Sequence, residues 1–424
     1  MLNLTDYNQN LKKTITDLES EDLSTLINLD SIDSVLRRVL TKEEMKEAGC
    51  FFTGQKLSDF LVNNLGRKIS KESVILDPTC GAGNLLIACS RKLPVYSSLS
   101  TTLKLWGHAL RGLDTQQAFI DSAKLRLIIE AINRGAKKDC SIEIALQYFS
   151  KLLVRDVMSL SGHEVKDVTH AVINPPFVSW SSPSNHYWKK GKVNSAGIVF
   201  DYLIRLLPCN CTIGAILPEV LRSGSRYHDF RKFVSTQILG SVEVWGKFSP
   251  IVDIDVFILA GKKNQSEGPL NWQPLIHSKT LTLGDHFDVR TGPLVAYRSP
   301  QKGKPYPYIY PRNCPAWEVI CEAVEHRPFE GRVLSPPFVV VRRTSSPSDA
   351  FRAVATVVNI PSPVAVENHL LVLTPKSGQL EDCLRLMEIL KEKKTNTFLN
   401  NRVRLRHLTV SSVKEIPITD EYFL

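Results

Sequence analysis

The sequence has few of the features that mark secreted, membrane or metal-binding proteins. No apolar run approaches the length of a membrane-spanning helix, and the polar segment from Met1 to Lys13 carries no evident signal peptide. The nine cysteines include no Cys-x-x-Cys pair, and the closest two, Cys209 and Cys211, lack partner ligands at zinc-like intervals. We therefore expect reduced thiols in a cytoplasmic protein, with no metal site and no membrane association.

Acidic residues are outnumbered by basic ones, and internal repeats are absent. The 424 residues include 53 lysines and arginines against 43 aspartates and glutamates, a net charge of +10. Such a balance favours a polyanionic partner such as nucleic acid, although many basic proteins bind none. The chain is too long for one ordinary domain, so we expect two.

The most informative motif is Asn174-Pro175-Pro176-Phe177, which follows the apolar run Ala171 to Ile173. Two prolines stiffen the turn and remove two backbone donors. The Asn174 side chain and the Pro175 carbonyl can then accept both hydrogens of a planar amine, while Phe177 stacks on the attached ring. This pattern predicts catalysis at an exocyclic amine such as that of adenine. The alternative is a proline-rich turn without catalytic function.

A glycine-containing turn lies upstream, between the short apolar strand Val74 to Leu76 and an apolar helix that begins near Leu85. Strand, glycine turn and helix in this order are typical of the first crossover of a nucleotide-binding α/β sheet. Glycines that serve only packing are the alternative. The residues of this turn that we predict to bind a ligand are Asp77, Pro78, Cys80, Gly81, Gly83 and Asn84.

Two further acidic residues follow predicted strands. Asp114 ends a second strand, where a carboxylate can accept hydrogen bonds from the two ribose hydroxyls of an adenosine ligand; an ordinary helix cap is the alternative. Asp156 follows the third strand and could bind the ligand's adenine amine. With Asn174, polar groups follow four successive strands, at the edge where open α/β sheets bind ligands.

These motifs resemble those of the S-adenosylmethionine-dependent N6-adenine DNA methyltransferases. A third motif of that family, a Phe-Thr segment, is present within Gly49 to Gly54, although Gly54 stands where the family usually has proline. The resemblance implies that Phe52 and Thr53 lie at the amino-acid end of S-adenosylmethionine, and that Cys80 has a steric role. It also implies that Asn174 lies beside this cofactor.

The order of the three motifs resembles the gamma class, in which the DNA-reading domain is C-terminal. The resemblance implies an α/β fold with a Rossmann-like doubly wound sheet, followed by a smaller mixed α+β domain. We predict a helical N-terminal segment at residues 1–45, a methyltransferase domain at 46–262 and a target-recognition domain at 269–424. A polar linker from Gly261 to Gly268 would separate the last two.

Basic residues in two regions are candidates for DNA contacts. After the catalytic turn, Trp188, Lys189 and Lys190 could clamp an extruded nucleotide and its flanking phosphates. In the C-terminal part, Arg342 and Arg343 end a predicted strand. An alternating segment there would place one further set of side chains on one face, namely Arg402, Arg404 and Arg406. A solvated charged face is the alternative for these arginines.

The sequence therefore predicts an enzyme that methylates the N6 amine of a flipped-out adenine in double-stranded DNA. It would belong to a restriction-modification or related system, with any nuclease on a separate partner. Two alternatives remain: an RNA or protein-glutamine methyltransferase, whose planar amine poses the same chemical problem, and a DNA-binding subunit with an inactive methyltransferase fold.

Overall fold

A computed structural model of the chain describes residues 4–17, 23–39, 45, 52–250, 252–264, 270–273 and 280–418. The chain divides into two compact units, Met1–Trp272 and Gln273–Leu424. Four predicted features fall outside the described residues: the domain boundaries at residues 46 and 269, residues 49–51 of the Phe-Thr segment, and linker residues 265–268. The first linker residues, 261–263, lie in a strand, so that part of the linker prediction is wrong.

The first unit contains a large sheet. The described strands of this unit are β1 (Ile75–Asp77), β2 (Leu110–Asp114), β3 (Leu152–Val154), β4 (His170–Ile173), β5 (Ser179–Ser181), β6 (Lys192–Asn194), β7 (Thr212–Pro218), β8 (Ile238–Lys247) and β9 (Asp255–Lys263). Seven of them form one sheet in the order β3-β2-β1-β4-β7-β9-β8. In this sheet β9 runs antiparallel to both of its neighbours, β7 and β8, and the other described pairs are parallel, while β5 and β6 form a separate hairpin.

Helices alternate with these strands along the chain. The described α-helices of the first unit are Thr5–Asp17, Leu23–Leu26, Ser31–Val39, Gln55–Asn63, Asn84–Ser90, Leu99–Ala109, Gln117–Asn133, Ile142–Tyr148, Gly162–Val165, Ser195–Leu206, Glu219–Ser223 and His228–Gln237. Short 3₁₀ turns occupy Val157–Ser159 and Ser225–Tyr227. Parallel strands require such crossover connections, which pack back onto the sheet.

The sheet is covered on both faces, because successive strand residues point to opposite sides. Ile75, Val172 and Ile216 belong to one buried cluster, together with the helices Gln55–Asn63, Asn84–Ser90 and Gln117–Asn133. Leu76, Ile173 and Leu217 belong to the other, which helices of residues 195–237 cover. The predicted doubly wound α/β fold is confirmed.

The N-terminal segment packs within the first unit. Leu11 and Ile15 of helix Thr5–Asp17 are buried in the same cluster as the long helix Gln117–Asn133. Asn8 also donates a hydrogen bond to the carbonyl of Ala118 (3.1 Å) and accepts one from the hydroxyl of Ser122 (2.6 Å). The described part of this segment is thus integrated with the sheet domain.

The second unit combines two small sheets with helices. Its described strands are β10 (Phe287–Thr291), β11 (Pro305–Ile309), β12 (Val319–Ile320), β13 (His326–Pro328), β14 (Phe338–Arg342), β15 (Ala355–Val358), β16 (Ala365–Val366) and β17 (Leu370–Pro375). They pair in the orders β10-β17-β14-β15-β12 and β13-β11-β16. The helices are Leu283–His286, Leu380–Lys391, Lys393–Arg402 and Val410–Lys414, with a 3₁₀ turn at Pro311–Asn313. This mixed α+β unit confirms the predicted class of the C-terminal domain.

Candidate active site

A cavity of about 300 Å³ lies at the carboxyl ends of β1 to β4. A cavity of this size is at the lower end of the range for sites that bind small molecules. Its lining brings together predicted residues from every motif, namely Phe52, Thr53, Asp77, Pro78, Cys80, Gly81, Asn84, Asp114, Asp156, Asn174 and Pro176. Gly83, Pro175 and Phe177 are not among the lining residues.

Both glycines of the turn after β1 adopt positive φ angles, +50° at Gly81 and +84° at Gly83. A Cβ atom at Gly81 would lie 2.7 Å from the Phe52 ring, and one at Gly83 would lie 3.0 Å from the Cβ of Ala123. The turn therefore needs glycine for its backbone conformation and for close packing against the protein itself. Packing, the alternative that the sequence leaves open for these glycines, thus explains both of them.

Cys80, within this turn, packs against β2. Its side chain is buried, and a Cβ atom at Gly112 of β2 would lie only 2.9 Å from its sulfur. Burial raises the pKa of the thiol, and nearby Asp77 and Asp114 raise it further. Cys80 is therefore a neutral packing residue rather than a nucleophile.

Asp114, at the end of β2, points into the cavity and holds two backbone amides. Its carboxylate oxygens accept hydrogen bonds from the amide of Gly81 (3.1 Å) and the amide of Gln116 (2.8 Å). Burial raises the pKa of Asp114, while these hydrogen bonds lower it. The carboxylate thus fixes the glycine turn and still forms part of the cavity wall.

Asp77, at the end of β1, is almost completely buried, with 2% of its surface exposed. It accepts a hydrogen bond from the amide of Thr79 (3.2 Å). Burial, reinforced by the charge of Asp114, raises the pKa of Asp77 to about 8. A carboxyl group in such an environment is largely protonated at neutral pH. A cation that binds nearby would favour loss of this proton and leave a negatively charged carboxylate.

Asp156 is exposed and caps the short 3₁₀ turn Val157–Ser159, accepting a hydrogen bond from the amide of Met158 (2.9 Å). Its neighbour Arg155 also lines the cavity and is ion-paired with Glu164. The two residues that follow β3 therefore contribute one carboxylate and one arginine, whose charge is balanced by Glu164, to the cavity wall.

The Asn-Pro-Pro-Phe tetrapeptide is hydrogen-bonded to two of the other motifs. The Asn174 amide nitrogen donates to the Thr53 hydroxyl (2.9 Å), and the Thr79 hydroxyl donates to the Asn174 carbonyl (3.2 Å). Thr53 is 2% exposed, so its hydroxyl is held in place by packing. The amide plane of Asn174 is thus oriented by the Phe-Thr segment.

The backbone on either side of Phe177 is bound by one buried hydroxyl. Ser195 Oγ donates to the carbonyl of Pro176 and accepts from the amide of Val178. The Phe177 ring meets the ring of Phe248 edge to face, with centroids 5.8 Å apart and planes at 86°. Phe248 is 5% exposed, so it supports Phe177 from the core.

The structure explains why position 54 is occupied by glycine in this chain. A Cβ atom there would lie 2.4 Å from a carboxylate oxygen of Asp30. The same oxygen accepts a hydrogen bond from the amide of Gln55 (3.1 Å), the first residue of helix Gln55–Asn63. Asp30 of the N-terminal segment therefore supplies the cap of this helix in the space that a side chain at position 54 would take.

Asn84 lines the cavity, but its amide is fully engaged with the protein. Its nitrogen donates to the carbonyls of Leu29 and Thr53 (both 2.8 Å), and its oxygen accepts from Arg126 (2.6 Å). Both amide hydrogens are thus used within the protein, so the nitrogen could donate to a ligand only if one of these bonds broke. The structure therefore favours a positioning role for Asn84 over the predicted ligand contact.

Part of the first unit matches a known protein family by its sequence. A model of the N-6 DNA Methylase family matches residues 32–237, a range that contains all three motifs. This region is therefore similar to the N-6 DNA Methylase family. The resemblance predicted from the motifs is confirmed for it.

Solved structures with similar folds include three restriction-modification proteins. The chain aligns with the type IIL restriction-modification enzyme MmeI, solved in complex with DNA, over 96% of its length and 67% of that chain (11% identity, TM-score 0.47). The type IIG restriction endonuclease BpuSI aligns over 92% of this chain and 60% of its own (14% identity, TM-score 0.45).

A methyltransferase subunit of a type I system from Streptococcus thermophilus aligns over 50% of this chain and 45% of its own (17% identity, TM-score 0.37). The chain thus spans less than two thirds of BpuSI and of this subunit. TM-scores below 0.5 at such identities do not identify an activity. No curated protein matches the chain.

Within the N-6 DNA Methylase region, the lysine-rich loop between β5 and β6 separates into packed and exposed residues. The Trp188 ring lies 6.0 Å from the Phe230 ring and belongs to the packing around a buried cluster. Lys189 and Lys190 are exposed, and Arg226 binds both of their carbonyls. The two lysines are available to phosphates, whereas Trp188 would have to leave its packing to stack on a base.

Trp180 of β5, rather than Trp188, lines the cavity. The other lining residues that the sequence did not single out are Thr79, Leu85, Thr115, Gln116, Phe119, Arg155, Val157 and Val178. Thr115 and Arg155 directly follow a predicted strand, and three more of them lie within three residues of one, namely Thr79, Gln116 and Val157. Position after a strand was therefore the signal that could have found them.

The predicted arginines of the second unit differ in their surroundings. Arg402 is the last residue of helix Lys393–Arg402, is 9% exposed and forms an ion pair with Glu415. The prediction that Arg402 to Arg406 form one extended segment is therefore wrong. Arg404 is half-buried and Arg406 is exposed.

Arg342 ends β14 as predicted and donates to the carbonyl of Cys314 (2.9 Å), and the neighbouring Arg343 is half-buried.

Two further observations concern the whole described chain. No described helix is both long and apolar enough to cross a membrane. Among the described residues, no group of three or more histidine, cysteine, aspartate or glutamate side chains is placed to hold a metal ion.

Proposed function

We propose that this protein transfers a methyl group from S-adenosylmethionine to the N6 amine of adenine in double-stranded DNA. The observation that carries the proposal is the position of Asn174. Its amide lies at the carboxyl end of β4, lines the cavity and is bound to Thr53 of the Phe-Thr segment. Two motifs with different expected roles, one toward the cofactor and one toward the base, therefore meet in one hydrogen bond.

The cavity fits the cofactor by the chemistry of its donor set. The carboxylate of Asp114 suits ribose hydroxyls, and Asp156 is placed to accept from an adenine amine. The rings of Phe52 and Phe119 lie 5.3 Å apart and offer apolar surface. S-adenosylmethionine, when bound there, would supply an electrophilic methyl group. Asp77 would face its positively charged end.

The protein's part in catalysis is to orient the acceptor amine. The lone pair of that amine is delocalised into the purine ring, so the amine is a poor nucleophile. Hydrogen bonds to the Asn174 side chain and the Pro175 carbonyl would favour a more tetrahedral nitrogen, with its lone pair aimed at the methyl group. The proton can leave to water afterwards, because methylation makes the nitrogen more acidic.

Access to the amine requires the target base to leave the DNA stack. Phe177 would then stack on the extruded adenine, supported by the edge of Phe248. Lys189 and Lys190, exposed on the loop after the tetrapeptide, would hold flanking phosphates. The second unit would read the DNA sequence with Arg342, Arg343, Arg404 and Arg406, as in the gamma class.

Two further elements complete the proposal. We place the protein in the cytoplasm as the modification component of a restriction-modification or related system, with cleavage carried out by a separate endonuclease. We also propose the functional division predicted from the sequence: a helical segment at 1–45, a methyltransferase domain at 46–262 and a target-recognition domain at 269–424.

The proposal is tested by supplying S-adenosylmethionine with a labelled methyl group to the protein together with unmethylated genomic DNA, RNA or protein extract. We expect label in DNA only. Label in RNA or protein instead would keep the catalytic chemistry and overturn the substrate. No transfer to any acceptor, with intact cofactor binding, would favour a DNA-binding subunit that needs another subunit for activity.

A further inference from the structure

Arg126 is a fully buried arginine in the long helix Gln117–Asn133, behind the cavity rather than in its wall. Its guanidinium donates to three oxygen atoms that carry no charge. These are the carbonyl of Ala82 in the glycine turn (2.7 Å), the side-chain oxygen of Asn84 (2.6 Å) and the carbonyl of Asn28 in the N-terminal segment (3.3 Å). Burying a charge is costly, so such an arrangement needs good geometry.

The three acceptors belong to parts of the chain that the sheet alone would not hold together. Ala82 lies between the two glycines with positive φ, and its side chain is a single methyl group that cannot anchor the turn. Asn84 extends this hydrogen-bond network, because its amide donates to the carbonyls of Leu29 and Thr53. Thr53 in turn accepts the hydrogen bond from Asn174.

We propose that Arg126 is a positioning residue for S-adenosylmethionine binding, which holds the glycine turn, the Phe-Thr segment and the N-terminal segment in their binding geometry. This inference rests on the proposed function. It assigns a role to a residue outside the cavity lining and makes the N-terminal segment part of the cofactor site. Arg126 itself touches neither the cofactor cavity nor the tetrapeptide.

The same helix offers a matched control in Arg134, its C-terminal cap. Arg134 donates to the carbonyls of Ser90 (2.7 Å) and Leu93 (2.9 Å). Both arginines therefore bind backbone carbonyls near helix Asn84–Ser90, Arg126 at its beginning and Arg134 at its end. Only Arg126 is connected to the glycine turn.

The experiment measures binding of S-adenosylhomocysteine by calorimetry to the full-length wild type and to the variants Arg126→Met, Arg126→Lys and Arg134→Met. We expect Arg126→Met to raise the Kd about tenfold or more, since it leaves buried acceptors without a donor. Arg126→Lys should raise it less, because the ammonium group still donates to some of the acceptors, although it cannot fork across all three. Arg134→Met should lower the unfolding midpoint without changing the Kd.

The steady-state rates provide a second readout. The KM for S-adenosylmethionine should rise in Arg126→Met more than kcat falls at saturating cofactor. An unchanged Kd in either Arg126 variant would overturn the inference, and so would an equal rise in Arg134→Met. The lysine variant keeps the test open if the methionine variant does not fold. A wild type without affinity for S-adenosylhomocysteine would instead overturn the proposed function and, with it, this inference.

Discussion

The side chain of Asn174 donates a hydrogen bond to the hydroxyl of Thr53, which lies 121 residues earlier in the chain, over 2.9 Å. One residue belongs to the turn after β4 and the other to the segment before helix Gln55–Asn63. The bond joins the proposed base-binding and cofactor-binding parts of the site. Because the amide nitrogen of Asn174 is held by Thr53, the bond also fixes the direction in which the amide oxygen points.

Removing this bond should lower turnover more than it weakens cofactor binding. Thr53→Val keeps the size of the side chain but removes the acceptor, so the Asn174 amide loses its orientation. We expect kcat for methyl transfer to fall about tenfold, since one such bond contributes roughly 1 to 1.5 kcal/mol. Thr53→Ser, which retains the hydroxyl, should stay close to wild type. Equal activity of the valine and serine variants would remove this bond from the mechanism.

Asp114 should contribute to cofactor affinity directly. Asp114→Ala removes both the proposed partner of the ribose hydroxyls and the acceptor for the amides of Gly81 and Gln116. We expect the Kd for S-adenosylmethionine to rise about tenfold or more, measured by calorimetry. Asp121→Ala, on the helix that follows, is the control and should bind normally. An unaltered Kd in Asp114→Ala would exclude Asp114 from the site.

Asp77 should make stability depend on pH. Its pKa of about 8 in the folded protein lies above the ordinary value of 3.8, so the folded state binds the proton more tightly than the unfolded state. The stabilisation is fully present below the unfolded pKa and is lost as pH rises through about 8, by roughly 1.4 kcal/mol per pH unit in between.

Asp77→Asn lacks this titration and should become more stable relative to wild type as pH rises. Urea denaturation of both proteins at pH 6 and pH 8 measures the change. The difference in unfolding free energy between the two proteins should shift by roughly 2 to 3 kcal/mol in favour of the variant. The same difference at both pH values would mean that Asp77 is ionised in the fold.

The arginines of the second unit should separate into DNA-contacting and structural residues. Replacing Arg404 and Arg406 together by glutamine should weaken DNA binding and reduce the salt dependence of the affinity by roughly two phosphate contacts. Cofactor affinity should not change. Arg402→Met should instead lower stability, because it leaves Glu415 without its ion pair. Undiminished DNA affinity of the double variant would place the DNA-binding surface elsewhere.

The sheet and the site could be predicted because strand ends carry their own signal. Asp77 and Asn174 each follow a short apolar run, Asp114 ends a predicted strand, and parallel strands bring their carboxyl ends to one edge. Local patterns failed where distant contacts decided the structure. The alternation from Arg402 to Arg406 predicted a strand, but Leu399 and Val403 are buried in one cluster at helical spacing, and Glu415 binds Arg402.

Other parts of the site lay beyond sequence reasoning for the same reason. Trp180 and Trp188 occupy one aromatic and basic stretch, and only the folded structure shows that Trp180, which lies in the hairpin, is the one that lines the cavity. Asp30 caps a helix that begins 25 residues later. Arg126 binds backbone carbonyls, which no residue pattern reveals.

The central claim is that Asn174 orients an adenine amine for methylation, and nucleoside analysis of treated DNA tests it most directly. Unmethylated DNA is incubated with S-adenosylmethionine and either wild type or Asn174→Ala, digested and separated. We predict N6-methyladenine at one short sequence with wild type, and none with Asn174→Ala although the variant still binds the cofactor. Wild-type levels of N6-methyladenine in the variant, or methylation of cytosine instead of adenine, would contradict the account.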